Sequence, residues 1–505
     1  MTMKLLDTIL ENALSNLTSV AVAEKEASYS YQDLLDAMDS FASDLTGLEV
    51  NKRPVLIFGK NDFLSLAAML ASNLTGRAYI PVDSHTPIER TEMILGAAKP
   101  SAIMLTTELD ESYQSLFAAN PQVVAVNFDR RADFDGRTID TRAAVSGKDT
   151  TYIIYTSGTT GVPKGVAVSH DNLATFTNWM NTAFVKFDKN QFLEQPLYSF
   201  DLSIFSIYPS LTTAGTLVSL SREETTNFKL LFERLNSTII NTWISTPSFV
   251  DICLLDPSFT QDEHPELRQF IFCGEELTHK TAEKLLKAFP NATVYNTYGP
   301  TEATGAISSI EVTPELLNHY DRVPIGRAKP GVTLEILDRE IIITGDSVAT
   351  GYFENSEKTA EAFFIRDGKP AYHTGDAGFF DSDGVLNYNG RIDFQVKFNG
   401  FRIELQDIEA NLTSLPTVEK ALVVPQENAE HKVTALVAVL VAPHDSTLSD
   451  RDFTKQLKES LAPLIMDYMM PTKFVYVADF PLNQNGKIDR KAVSETIFNP
   501  KGGQA

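Results

Sequence analysis

Residues 155–165, "YTSGTTGVPKG", follow the apolar run Tyr152-Ile153-Ile154 and crowd small hydroxyl side chains around one lysine. Backbone N–H groups, hydroxyls and a mobile ammonium at this density suit a polyphosphate. The stretch is not a Walker loop, which needs glycine, four residues, then Gly-Lys-Ser/Thr, because Gly158 is followed five places on by Pro163. The same residue types also make a solvated turn. Three more stretches gather chemistry-bearing residues: "VYNTYGPTEATG" at 294–305, "AYHTGDAGFFDSDGVLNYNGRID" at 371–393 and "NQNGKIDR" at 483–490. Taken singly, the first reads equally as a strand and turn, the second as a β-meander in which Asp376 caps a turn, and the third as a hairpin with an exposed Lys487.

Together and in this order, the four stretches resemble the adenylate-forming superfamily of acyl-CoA synthetases, luciferases and peptide-synthetase adenylation domains. The resemblance runs from about Tyr152 to Lys487 and implies an enzyme, a ligase using ATP and Mg²⁺. In such enzymes a carboxylate attacks the α-phosphate, pyrophosphate leaves, and the acyl-adenylate passes its acyl group to a thiol. By this resemblance Thr156, Ser157, Thr160 and Lys164 hold the β- and γ-phosphates, while Asn296, Thr297, Tyr298, Gly299, Pro300 and Thr301 bind the nucleotide. Tyr298 would lie against the adenine face, Thr301 near the phosphates, and Glu302 would reach Mg²⁺, an ion that takes few protein carboxylates when phosphates supply oxygens. Asp376 would accept hydrogen bonds from the ribose hydroxyls, with Tyr388, Asn389, Gly390 and Arg391 closing that side. Lys487 would be the catalytic group, in reach of both ATP and substrate. In-line attack spreads negative charge over the reacting oxygens, so a positioned ammonium stabilises the transition state more than the ground state. A carboxylate nucleophile needs no general base, and His170, following Ser169 at a helix start, reads as local structure.

Within the superfamily, "SFDLS" at 199–203, "FCGEEL" at 272–277 and the chain length resemble members that activate D-alanine. Those members pass it to the phosphopantetheine thiol of a separate D-alanyl carrier protein, the first step in D-alanylating cell-wall (lipo)teichoic acid. Asp201 would then hold the substrate ammonium, and it reads equally as an N-cap ahead of Leu202-Ser203-Ile204-Phe205. Cys273 would pack beside the α-carbon, and it is also the small buried hydrophobe that most free cysteines are. At Gly305 the superfamily pattern leads one to expect valine, and its absence predicts room for a slightly larger substrate side chain. Asp393 would be the hinge about which a small domain rotates, withdrawing Lys487 and bringing in "VKFNGFR" at 396–402 with Lys397 and Gly400. The carrier would act in trans and dock through a basic cluster of Lys487, Arg490 and Lys491. Two other enzyme readings stay open, a standalone adenylation enzyme for another small amino acid and an acyl-CoA ligase. A nucleotide-binding regulator would lack Lys487.

These residues need a scaffold, and the chain alternates in the way that supplies one. From Arg53 it runs "PVLIFG", "DFLSLAAMLASNLTG", "AYIPVD", "PIERTEMILGAAKP" and "SAIML": strand, helix, strand, helix, strand. This βαβ punctuation predicts an α/β fold with mostly parallel sheets, helices on both faces and ligand loops at the strand C-termini. A change of texture near residue 392 predicts a large domain over 1–392 and a smaller, mobile α+β domain over 393–505, the latter opening as a strand, a helix and another strand. The net charge of −23 divides as −20 and −3 between them and argues against nucleic acid as a partner. The amphipathic N-terminus "MTMKLLDTILENALSNL" has no basic leader, and the apolar run "ALVAVLVA" at 435–442 is a strand, far short of the ~20 residues of a membrane helix. Two lone cysteines, Cys253 and Cys273, fit a reducing cytoplasmic setting, and a monomer is expected.

Overall fold

The computed structural model describes residues 4–48, 52–119, 123–125, 139–158, 162–442, 449–481 and 488–498. The chain forms two compact units, the first made of Met1–His85, Ile94–Tyr155 and Lys164–Ile392, the second of Thr86–Met93, Thr156–Pro163 and Asp393–Ala505.

Among the described residues the first unit holds three sheets. In a seven-stranded sheet the strands Ala102–Leu105, Val55–Gly59 and Tyr79–Asp83 lie side by side and parallel, and Tyr79 pairs with Tyr152 of the strand Thr150–Thr156. All five residues of Val55–Gly59 and of Tyr79–Asp83 are buried, as parallel strands covered on both faces must be. The helix Phe63–Leu74 between them starts where Asp62 accepts the amide of Ser65, and it is apolar almost all round because it is sandwiched. A nine-stranded sheet has a parallel centre, with Thr293–Tyr298 beside Gln269–Phe272, which lies beside Thr242–Ser245. The third sheet is antiparallel and carries Glu340–Gly345, Lys369–Phe380 and Leu386–Arg391.

The amphipathic N-terminal segment is the helix Leu5–Ser15, which buries Leu5, Leu6, Ile9, Leu10 and Ala13 on one stripe. Its first amide donates to His170 Nε2 at 3.2 Å, so His170, one residue inside a helix capped by Ser169 and Asn172, makes a long-range tie and not merely a local one.

The second unit departs from the expected single opening strand. Residues 395–404 form a hairpin, Gln395–Phe398 paired with Phe401–Glu404, because Asn399 and Gly400 both take positive φ, 51° and 86°, and reverse the chain in two residues. The helix Leu405–Thr413 follows, and then the antiparallel pair Lys420–Glu427 and Val433–Val441, whose last seven residues are all buried. Arg490 is not part of a loose basic cluster. It is paired with Glu409, and its guanidinium carbon sits 4.3 Å over the Phe394 ring. Lys491 is exposed and faces Glu495.

Candidate active site

The strand Thr293–Tyr298 delivers its last residues to the end of the nine-stranded sheet, and Gly299-Pro300 turn the chain into the short 3-10 helix Thr301–Ala303. Two expected nucleotide contacts spend their side chains on this scaffold. Asn296 donates to the carbonyl of Pro324 at 2.9 Å, and Thr297 donates to the carbonyl of Phe272 at 2.8 Å. Tyr298 reaches out, donating its phenol to Asp376 Oδ2 at 2.5 Å.

Asp376 is 2% exposed, and Arg391 Nη1 holds its other oxygen at 2.9 Å. Asp376 and Arg391 are register partners on adjacent antiparallel strands, which is why residues fifteen apart meet. Thr374 completes the frame. Its hydroxyl donates to the Ile341 carbonyl and accepts the Asp376 amide, while its own carbonyl accepts from Arg391. A carboxylate gripped through one oxygen by a phenol and through the other by a guanidinium has a fixed direction, and each oxygen keeps a lone pair for a ligand hydroxyl. Burial, reinforced by the Asp376 charge, pushes the Tyr298 phenol well above its ordinary range, so it stays a donor. Tyr388 lies 6.4 Å from Tyr298, ring to ring, and Arg322, bound to Glu276 at 2.8 Å, sits over the Tyr388 face. Asn389 is exposed beside Gly390.

Lys164 and Glu302 are brought together by a residue with no signal in the sequence. Tyr352, on the short strand Gly351–Tyr352 paired with Lys164–Ser169, donates its phenol to Glu302 Oε1 at 2.9 Å. Lys164 Nζ lies 5.0 Å from the centroid of the same ring. Glu302 is wholly buried, and among the described residues no group of three or more His, Cys, Asp or Glu could hold a metal ion. One carboxylate fits an ion whose other ligands are phosphate oxygens and water, and it does not fit an all-protein cage.

In the second unit, the Ser157 hydroxyl donates to the Arg402 carbonyl at 3.2 Å and accepts the Glu404 amide at 3.1 Å. Thr156 belongs to the same unit. Thr160 and Lys487 lie outside the described residues.

Asp201, expected to hold the substrate ammonium, is half-buried and opens the 3-10 turn Asp201–Ser203, which runs into the helix Ile204–Thr212. The cap position belongs to Phe200, so Asp201 stands one residue inside the turn and the N-cap reading fails. The segment before it is clamped from afar. Asn61 donates to the Pro196 carbonyl at 2.6 Å and accepts the Tyr198 amide at 2.8 Å. Tyr198 and Ser219 both donate to Glu194, a carboxyl that burial lifts to about 7.

Cys273 follows the strand Gln269–Phe272, buried, with Sγ 3.9 Å from the Gly305 carbonyl. Gly305 leaves no void where a valine was expected. With φ at +77°, a Cβ there would lie 2.9 Å from Phe205 and 3.3 Å from both Ile204 and Phe176. Those three side chains fill the space, so the predicted extra room for a larger substrate is absent at this position.

The AMP-binding enzyme family model matches residues 11–353, and that of the AMP-binding enzyme C-terminal domain matches 407–487. A D-alanine–D-alanyl carrier protein ligase from Lactococcus lactis subsp. lactis is 64% identical over 495 residues, covering 98% of this chain and 99% of its own. One from Lactiplantibacillus plantarum is 42% identical over 510 residues, with the same coverage. Among solved structures, a Vibrio cholerae adenylation domain in complex with glycyl-adenosine-5'-phosphate shares the fold at a TM-score of 0.81 and 24% identity, over 98% of both chains. The o-succinylbenzoate CoA synthetase of Bacillus subtilis does so at 0.81 and 18% identity, over 97% of this chain and 98% of its own.

Proposed function

The chain belongs to the AMP-binding enzymes and, within them, to the D-alanine–D-alanyl carrier protein ligases; from that premise we propose how its residues activate D-alanine and pass it to a carrier. The observation that carries the substrate assignment is a half-buried carboxylate, Asp201, opening the turn that leads directly into Ile204 and Phe205, which close against Gly305. A carboxylate beside a filled apolar wall takes a small ammonium-bearing acid and has no use for a fatty acyl chain.

Asp201 pairs with the substrate ammonium and Cys273 packs beside the α-carbon. Asp376, pre-aimed by Tyr298 and Arg391, accepts the two ribose hydroxyls of ATP, and Tyr388, Asn389 and Gly390 close that side. Asn296, Thr297, Gly299, Pro300 and Thr301 shape the nucleotide cradle through their backbone. Thr156, Ser157, Thr160 and Lys164 take the β- and γ-phosphates. Glu302, turned by Tyr352, would hold Mg²⁺, which when bound would neutralise charge on the phosphate oxygens. The substrate carboxylate attacks the α-phosphorus in line, the bond to pyrophosphate breaks, and the Lys487 ammonium meets the charge spread over the reacting oxygens. The phosphopantetheine thiol of the carrier then attacks the carbonyl carbon, AMP leaves and a thioester remains. Asp393 is the hinge between these two half-reactions, with 1–392 and 393–505 as the moving parts. The enzyme acts as a monomer in the cytoplasm, and no described helix is long and apolar enough to cross a membrane.

ATP–pyrophosphate exchange with D-alanine, L-alanine, glycine, D-serine and a short fatty acid tests this. D-alanine is expected to drive exchange far above the others, and preference for any of the others overturns the substrate assignment.

A further inference from the structure

Lys329 is a buried cation that the chemistry above leaves unused. It is 3% exposed, and its Nζ has no hydrogen-bond partner. Its backbone amide donates to the Ile307 carbonyl at 2.8 Å, which ties it to the segment carrying Gly305 and Ala306. Nζ faces two rings of the helix His170–Ala183, lying 5.3 Å from the centroid of Phe176 and 5.3 Å from that of Trp179. Phe176 is also one of the side chains that close the space at Gly305, and it packs edge-on against Phe205 at 4.9 Å. One ring thus links the lysine to the wall of the amino-acid pocket.

An amine buried in an apolar interior without a partner destabilises a fold, whereas methionine would fill nearly the same volume without that cost. Costly local choices of this kind cluster at sites under functional demand. Burial lowers the Lys329 pKa to about 7 and is the one cause of the shift, with no titratable side chain acting on Nζ from the helix His170–Ala183 or from the segment 305–312.

We infer that Lys329 is a positioning residue for substrate selection: its ammonium, held against the faces of Phe176 and Trp179, stops the wall at Gly305 from retreating and so limits the substrate side chain to about a methyl group. Ring quadrupoles attract a desolvated cation strongly enough to fix the rings that bind it. The inference rests on the pocket assigned under Proposed function. It also carries a pH sign. The attraction exists while the amine is protonated, so selectivity against larger D-amino acids is highest below about pH 7 and falls as pH rises through that value.

The test compares pyrophosphate exchange with D-alanine and with D-2-aminobutyrate, from pH 6 to 9, in the wild type and in Lys329→Met. The variant is expected to keep D-alanine exchange, to melt no lower than the wild type, to lose roughly 10-fold or more of its preference for D-alanine, and to lose the pH dependence of that preference. A preference within twofold of wild type overturns the inference, and so does a lower melting temperature with preference intact, the mark of a merely structural lysine. A wild type that exchanges no D-alanine would sink the pocket assignment itself, which keeps the two failures distinct. Should Lys329→Met not fold, Trp179 fluorescence in a Trp243→Phe background decides. A titration near pH 7 places the amine against the indole as inferred, and a flat signal overturns it.

Discussion

Asp376 and Asp201, to which we assign opposite ends of the proposed site, are built in opposite ways. Asp376 is enclosed, with Tyr298 on one oxygen, Arg391 on the other, and Thr374 braced beneath. Asp201 is half-buried at the start of a single turn that runs into Ile204 and Phe205, which with Phe176 fill the space at Gly305. In the proposal the nucleotide end recognises by hydrogen bonds whose direction is set before the ligand arrives. The proposed amino-acid end would recognise by one charge and by the space that its neighbours deny. Directed hydrogen bonds tolerate little loss of a partner, whereas a space-filling wall should give way by degrees.

The contrast can be broken at several places. The largest effect is expected from Asp201→Asn, since removing one partner of a desolvated charge pair costs ~3 to 5 kcal/mol. D-alanine-dependent exchange should fall accordingly while the KM for ATP stays near wild type, and an equal rise in both would make Asp201 a structural residue. Lys487→Ala comes next, with exchange falling 10²-fold or more, on the order of one lost transition-state contact. Transfer from a supplied D-alanyl-adenylate to the carrier should survive, and equal loss of both half-reactions would contradict a lysine that serves adenylation alone. Gly305→Val sharpens the reading of the wall. Overpacking costs ~1 to 3 kcal/mol and the positive φ adds to it, so the urea midpoint should drop, and an unchanged midpoint would mean that Phe205 and Phe176 yield easily. The smallest effect is assigned to Cys273→Ala, which should narrow the preference for D- over L-alanine by ~1 to 2 kcal/mol. Unaltered discrimination would remove the sulfur from the stereochemical account.

The same contrast governs what could be read from the sequence. Tyr298, Asp376 and Arg391 lie in compact motifs, and the structure brings them within hydrogen-bond reach of one another. Their mutual bonding is set by a strand register, Asp376 opposite Arg391, that motif spacing does not encode. The alternation from Arg53 to Leu105 was legible because helices of 12 and 11 residues separate short, mostly apolar strands. The hairpin at 395–404 was not, since its two four-residue arms are joined by Asn399 and Gly400 alone and pass for one strand. Tyr352 had no local signal at all: it meets Glu302 through a two-residue strand at a sheet edge, fifty positions away. The wall at Gly305 was misread for the same reason, because position 305 carries no side chain and the space is filled from residues 176, 204 and 205. The pairing of Arg490 with Glu409, 81 residues upstream, likewise had no local signal.

The most direct test of the division between the two ends is calorimetric titration of ATP into Asp201→Asn and Asp376→Asn under identical conditions. The account predicts a wild-type dissociation constant for Asp201→Asn and one weakened at least tenfold for Asp376→Asn, about 1.4 kcal/mol or more for the lost charged acceptor. Equal weakening in both variants, or weakening in Asp201→Asn alone, would contradict it.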